Sequence, residues 1–186
     1  MLNRRQFLLT SFALFAAVQG AAAHPEKGTA LDPQFLPQEV DFAREYPVGT
    51  IVVDTANRFL YLIESKNIAR RYGIGVGRAG LAFSGTAEIG RKAKWPSWRP
   101  TDNMIRRNPG KYARFADGVP GGPNNPLGSR ALYLYRDGQD TLYRIHGTTE
   151  PSSIGKAVSN GCFRMVNEHV EDLFERVPVG AKVVVD

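Results

Sequence analysis

The sequence predicts a mainly β fold, a sandwich or barrel-like arrangement with one α-helix packed near the C-terminus. Two pairs of short apolar segments support this prediction, residues 51–53 with 59–63 and residues 131–135 with 142–146. Each pair is separated by turn-forming residues, a pattern typical of β-hairpins. Short strands therefore outnumber helices, which favours a β-rich domain.

One helix is predicted, from about residue 168 to residue 176. Its apolar residues recur at helical spacing: Val170, Leu173, Phe174 and Val177. Asn167 is placed to cap the N-terminus, and Pro178 ends the helix. Within it, His169 is expected to face solvent. A closing strand is predicted at residues 182–185.

The chain has 186 residues, enough for one folded domain. Its start resembles a secretory signal peptide at residues 1–23, because Arg4 and Arg5 precede an apolar run and small residues follow at 21–23. Residues 3–9 also resemble the twin-arginine export motif, with an ordinary Sec signal as the alternative. A buried helix or uncleaved anchor is the weaker reading, since the run is short for a bilayer.

Residues 24–47 are predicted to form an extended lead-in because prolines interrupt them, and residues 48–186 the folded domain. Removing residues 1–23 leaves a formal net charge of +4. Outside the cytoplasm, that charge favours an anionic surface or polymer as partner. The sequence contains no recognisable nucleic-acid-binding module, and no membrane segment is expected after signal cleavage.

The most basic part of the chain is residues 91–114, which hold eight basic residues and one acid, Asp102. The segment lacks clear periodicity and is expected to be irregular. Trp95 and Trp98 favour an ordered loop near a binding surface. A long irregular segment of this kind is either a solvated loop or a lid that covers substrate.

The candidate chemistry lies between residues 146 and 165, which include the only cysteine, Cys162. One cysteine cannot form an internal disulfide, so an exported thiol is either inert, paired between molecules, or reactive. His146 can accept the thiol proton and later protonate a leaving amine. Backbone N–H groups at Gly161 and Cys162 are candidates for holding an oxyanion. A zinc site that adds His169 is disfavoured, because no ligand pair lies near it.

Residues 48–185 resemble the catalytic domain of the L,D-transpeptidases of the YkuD type. The resemblance rests on Asn-Pro-Leu-Gly at 125–128, Ile-His-Gly-Thr at 145–148 and, above all, Ser-Asn-Gly-Cys-Phe-Arg-Met at 159–165. It implies a cysteine enzyme that modifies bacterial peptidoglycan and needs neither a cofactor nor a metal ion.

Within this resemblance, Cys162 is the nucleophile, His146 the general base, and the Gly147 carbonyl the group that steadies the imidazole. Arg164 is expected to grip a substrate carboxylate, with a structural salt bridge to the helix acids as the alternative. Three further residues of the motif are assigned to substrate binding: Ser159, Asn160 and Gly161. Asn160 stands where the fullest form of the motif has histidine.

The resemblance implies a periplasmic transpeptidase. Its thiol attacks a peptidoglycan tetrapeptide stem, D-alanine leaves, and the thioester is passed to an amine of a second stem or of a lipoprotein lysine. Two alternatives remain open. An L,D-carboxypeptidase would hydrolyse the same thioester, and a non-catalytic wall-binding module would use residues 91–114 to hold an anionic polymer.

Overall fold

A computed structural model describes residues 31–81 and 83–186 of the protein. The strands are β1 Gln38–Asp41, β2 Ile51–Asp54, β3 Phe59–Ser65, β4 Ile68–Gly73, β5 Val76–Gly77, β6 Gly85–Lys94, β7 Arg130–Arg136, β8 Gln139–His146, β9 Ala157–Ser159, β10 Phe163–Arg164 and β11 Lys182–Val185. The helices are α1 Asp102–Arg107, α2 Pro109–Tyr112 and α3 Asn167–Arg176, with short 3₁₀ helices at Pro33–Phe35, Ala113–Phe115 and Pro151–Ser153. The predicted signal peptide lies outside the described residues. Within them, every helix is too short or too polar to cross a bilayer.

Nine strands form one sheet in the order β1-β4-β3-β2-β11-β6-β7-β8-β10, and β5 pairs with β9 in a separate two-stranded sheet. Strand β10, at the end of this sheet opposite β1, also pairs with the segment that follows β4. Gly75 and Arg164 exchange two backbone hydrogen bonds of 2.8 Å, so the large sheet curls back toward itself. The predicted mainly β, barrel-like fold with a helix near the C-terminus is confirmed.

The inner face of the curved sheet carries the main core. Because successive side chains of a strand point to opposite faces, alternate residues of each strand turn inward. Fully buried examples on five strands are Ile51, Leu60, Leu132, Ile145 and Phe163. The apolar side of α3, including Val170 and Leu173, joins this core. Burying side chains of this size stabilises the fold by roughly 1.5–3 kcal/mol each.

The lead-in contributes more regular structure than its prolines suggest. Its β1 strand pairs antiparallel with β4, with Val40 opposite Ala69, and forms one edge of the sheet. Phe42 and Tyr46 then fold over the outer face of the neighbouring strands. In its described part, the lead-in is therefore an edge strand and a cover for the sheet.

The basic segment is more ordered than predicted. Residues 91–94 complete β6, and α1 and α2 follow a short loop. Thr101 caps the N-terminus of α1, and its hydroxyl accepts a hydrogen bond of 3.2 Å from the Met104 N–H. The expectation of an irregular segment is wrong, because local caps stabilise helices too short to show a periodic pattern.

The C-terminal helix is found where it was predicted, but two of its residues behave differently. Asn167 does not cap α3, because its Oδ1 accepts a hydrogen bond of 3.2 Å from the Ser129 N–H in the loop before β7. His169 is buried, contrary to the expected solvent-facing position, and burial lowers the pKa of its imidazole. Tertiary packing thus overrides the local sequence pattern at both positions.

Candidate active site

Strands β8 and β10 bring the predicted site residues together. They run in parallel, with Phe163 beside Ile145 and Arg164 beside His146. His146 ends β8, and Cys162 directly precedes β10. Because residues two apart in an extended chain share a face, Cys162 and Arg164 project on the same outer face of the sheet as His146.

This face forms the floor of a cavity of about 820 Å³. The floor side chains come from β6, β7, β8 and β10. Another part of the lining comes from the basic segment, including Trp98, Met104, Tyr112 and Phe115. Trp98 packs edge-on against Tyr112 and Phe115, with ring centroids 6.4 and 5.7 Å apart. The tryptophan therefore anchors an ordered wall of the cavity.

The imidazole of His146 is buried and held in one orientation. Its Nδ1 lies 2.6 Å from the carbonyl oxygen of Gly147. A carbonyl can only accept a hydrogen bond, so Nδ1 carries the proton and Nε2 is left as a proton acceptor. Burial lowers the pKa of His146 to about 4, and the nearby charges of Arg164 and Arg144 act in the same direction. The imidazole is therefore neutral at pH 7.

The thiol of Cys162 lines the same cavity and is partly exposed. Burial raises its pKa, an effect opposed by the backbone N–H of Arg144 and by the charges of Arg144 and Arg164. The thiol and the imidazole are thus both neutral at pH 7. With both groups neutral, Nε2 of His146 is available to accept a proton, which is what the predicted general base requires.

A tight turn presents the cysteine. The hydroxyl of Ser159 donates to the Cys162 carbonyl at 2.6 Å and accepts from the Gly161 N–H at 3.1 Å. Gly161 has φ +127°, and a Cβ there would lie 2.5 Å from the Tyr143 ring. Only glycine fits this turn without strain. The Gly161 N–H, a candidate oxyanion donor from sequence, is already bonded to Ser159.

Asn160 links the turn to two other parts of the chain. Its amide nitrogen donates to the Tyr112 hydroxyl of α2 at 2.7 Å, and its Oδ1 accepts from Arg78 at 2.8 Å. The side chain expected to bind substrate therefore connects the turn before Cys162 with the basic segment. Sequence reasoning did not identify Tyr112 as its partner.

Two arginines flank the cysteine, and each is paired with a carboxylate. Arg164 binds Glu150 at 2.8 Å, so its partner is in the loop after β8 and not in helix α3. Arg144 contacts both carboxylate oxygens of Asp140, at 2.7 and 2.9 Å. Arg144 was missed from sequence. Its position two residues before His146 on a predicted strand was the available signal, since that spacing places both on one face.

Asn167, the first residue of helix α3, lies against the backbone next to His146. A Cβ added at Gly147 would lie 2.2 Å from the Asn167 Oδ1, and one added at Gly128 would meet the same oxygen at the same distance. The two glycines thus allow the Asn167 side chain to approach the backbone next to His146. His169, on the same helix, does not line the cavity. Residues 31–81 and 83–186 contain no cluster of three His, Cys, Asp or Glu side chains suited to a metal ion.

The site thus places a thiol and a neutral imidazole on one face of a β-rich fold. Residues 49–185 match the family of the L,D-transpeptidase catalytic domain, YkuD. The chain belongs to this family, as its motifs indicated.

Among curated relatives, "Probable L,D-transpeptidase YbiS" of Escherichia coli K12 is 35% identical over 161 residues, which cover 86% of this chain and 50% of the relative. The chain spans about half the length of the curated relatives it matches. A solved structure from Brucella melitensis, described as a "Probable carnitine operon oxidoreductase", is 56% identical with TM-score 0.58, covering 84% of this chain and 96% of that one. The structure of an L,D-transpeptidase from Mycobacterium smegmatis shares the fold at 18% identity and TM-score 0.53. The match covers 74% of this chain and 58% of that one.

Proposed function

We propose that the protein is an exported cysteine transpeptidase that acts on peptidoglycan stem peptides. The observation that carries the proposal is the pairing of β8 with β10, which sets Cys162 and the oriented His146 in one cavity. Family membership supports the reaction class, because L,D-transpeptidases act on peptidoglycan. The signal-like residues 1–23 support a periplasmic location.

In the first step, Nε2 of His146 takes the thiol proton as the Cys162 sulfur attacks the carbonyl at the L-centre of the third stem residue. The tetrahedral intermediate collapses, the carbon–nitrogen bond breaks, and the imidazolium returns the proton to the departing D-alanine amine. A thioester remains on Cys162. No nucleotide is consumed, because the thioester retains the acyl-transfer potential of the peptide bond.

In the second step an amine attacks the thioester, and His146 removes a proton from that amine. The carbon–sulfur bond breaks, the imidazolium returns the proton to the sulfur, and a new peptide bond links the acceptor to the stem. The acceptor is an amine of a second stem or a lipoprotein lysine. Water in the acceptor's place would make the enzyme an L,D-carboxypeptidase.

The test incubates the purified protein with a disaccharide tetrapeptide and follows products and protein mass by mass spectrometry. We expect loss of D-alanine, a transient acyl adduct and crosslinked dimers. Tripeptide without dimers would identify hydrolysis as the activity. Absence of all products and of the adduct would refute an acyl-enzyme on this substrate.

The matched control is Cys162→Ala, which removes only the sulfur from a side chain outside the main core. We expect no adduct and no turnover in this variant, with an unchanged melting temperature. Turnover that persisted would contradict the mechanism. Peptidoglycan binding that persisted without turnover in both proteins would instead favour a wall-binding module.

A further inference from the structure

Four side chains form a continuous row across the floor of the cavity. Arg91 on β6 lies beside Tyr133 on β7, and Tyr133 lies beside Arg144 on β8. The pairing of Phe163 with Ile145 places Cys162 level with Arg144. Arg91, Tyr133, Arg144 and Cys162 all line the cavity. The row therefore leads from the reactive sulfur to Arg91.

The tyrosine ring is a platform for two guanidinium groups. The Cζ of Arg91 lies 3.6 Å from the Tyr133 ring centroid, and that of Arg144 lies 4.2 Å from it. Such cation–π contacts orient a guanidinium without using its hydrogen-bond donors. Both groups are thereby held on the cavity side of the sheet.

The cations of the floor differ in what they already bind. Arg144 is paired with Asp140, and Arg164 with Glu150. Arg91 is exposed, and within residues 31–81 and 83–186 it forms neither an ion pair nor a side-chain hydrogen bond. Its five N–H donors are thus available to a ligand.

We propose that Arg91, held by Tyr133, forms a subsite for a substrate carboxylate that is remote from the reacting carbonyl. This subsite rests on the proposed transpeptidase function. A planar guanidinium is suited to a carboxylate because the two can form parallel hydrogen bonds.

The distance along the row defines which carboxylate fits. Neighbouring strands lie ~4.8 Å apart, and the Arg91 guanidinium sits over the β7 ring, two strands from Cys162, so the separation is ~10 Å. An extended peptide advances ~3.3 Å per residue. The carboxylate therefore belongs about three residues' length from the reacting carbonyl. The carboxylate of the departing D-alanine is too close to that carbonyl to reach Arg91.

Two stems can supply such a group, the donor that acylates Cys162 or the acceptor that attacks the thioester. The chemistry recognised is the same in both cases. The two half-reactions distinguish the two stems. A carboxylate on the donor affects the rate at which the acyl adduct forms, and a carboxylate on the acceptor affects the rate at which it decays.

The test variant is Arg91→Gln, assayed with peptides whose remote carboxylate is either free or converted to an amide. Adduct formation and adduct decay are each timed by mass spectrometry. Because a charge-assisted hydrogen bond at an exposed site is lost, we expect one half-reaction to slow about tenfold with the free carboxylate. With the amidated peptide the variant should equal the unsubstituted protein. The half-reaction affected identifies the stem.

Lys94→Gln is the matched control, because it removes the same charge from the same strand. Lys94 does not line the cavity, and it pairs with Glu175 of α3 at 3.6 Å. We expect unchanged rates with all peptides. Tyr133→Leu should reproduce part of the Arg91→Gln defect, and the double variant should be no slower than Arg91→Gln alone.

Equal slowing of free and amidated peptides by Arg91→Gln, or no slowing, would overturn the subsite. If the unsubstituted protein forms the acyl adduct, either result removes the subsite and leaves the transpeptidase function standing. If the unsubstituted protein forms no adduct, the proposed transpeptidase function is refuted, and the proposed subsite is refuted with it.

Discussion

The outer face of the large sheet is built in two different ways. Across β2, β3 and β4 it is apolar, with Val52, Ile63 and Ala69 all buried. Phe42 packs against this half, with its ring 5.0 Å from that of Tyr61, and covers part of it. This half of the face contributes a second, smaller core.

Across β6, β7, β8 and β10 the same face is polar. It presents Tyr133, Arg144, His146 and Cys162 to the cavity. Helices α1 and α2 border this half but leave about 820 Å³ open. The cover over the polar half is therefore incomplete, and the open volume is the candidate active site.

The inner face does not differ in this way. Leu60 and Leu62 on β3 are as thoroughly buried as Leu132 and Ile145 on β7 and β8. The inner face thus provides a common scaffold, whereas the outer face has a buried apolar half and a polar half that lines the cavity. Substitutions in the polar half should change rate, and substitutions in the apolar half should change stability.

The largest effect is expected for His146→Ala in the polar half. Without the general base, acylation by the donor peptide should slow by about two to four orders of magnitude. Initial rates of adduct formation measure this loss. A rate within about threefold of the unsubstituted protein would remove His146 as the base.

His169→Ala provides the matched histidine control. This residue is buried on α3 outside the cavity. It should alter the thermal unfolding curve and leave the acylation rate of the folded protein unchanged. A comparable loss of rate in both variants would mean that the loss at His146 comes from a structural change and not from removal of a base.

The next effect concerns the apolar half. Ile63→Ala removes most of a side chain that is 4% exposed, so the free energy of unfolding should fall by about 2–5 kcal/mol. Denaturant titration followed by circular dichroism measures the change. Below the unfolding transition, the acylation rate should stay within about twofold of the original. A large rate defect in still-folded protein would show that the apolar half also shapes the site.

An exposed apolar residue is the control for this substitution. Val179 is 59% exposed, and Val179→Ala should change stability by less than about 0.5 kcal/mol. If both variants lost equal stability, burial would not explain the effect at Ile63.

Much of the fold was predictable because it depends on local patterns. The hairpin of β2 and β3 and the helix α3 follow from alternation, turns and helical spacing. Strand β1 was missed, since a four-residue polar segment becomes a strand only through pairing with the distant β4. Helices α1 and α2 were missed because they are too short for a periodic signal.

The site, like the fold, has parts that local sequence predicts and parts that depend on distant contacts. Cys162 and His146 were predicted from residue type and motif, which need no coordinates. Their surroundings were not, because the pairing of Arg144 with Asp140 and of Asn160 with Tyr112 depends on strand register and on a helix seen only in the structure. Residue types and motifs therefore predict which side chains react, and the structure shows which side chains surround them.

The smallest effect is a shift in pH dependence, again confined to the polar half. Burial lowers the pKa of His146 to about 4, whereas an unperturbed imidazole has a pKa of about 6.5. Burial also raises the pKa of Cys162, so the thiol stays protonated through the acidic range. Acylation should therefore be constant from about pH 7 to pH 5 and fall to half near pH 4. Half-loss near pH 6.5 would contradict the buried, neutral base.

The pH dependence of the free energy of unfolding is a second, independent measure of the protonation of His146. Between about pH 6.5 and pH 4 the unfolded chain binds a proton at residue 146 that the folded chain does not, so the free energy of unfolding declines as pH falls through this range. The variant His146→Gln should lack this part of the decline while retaining the rest. Identical pH profiles of stability for the two proteins would mean that the imidazole is solvated in the folded state. Water would then reach the polar half of the outer face at His146.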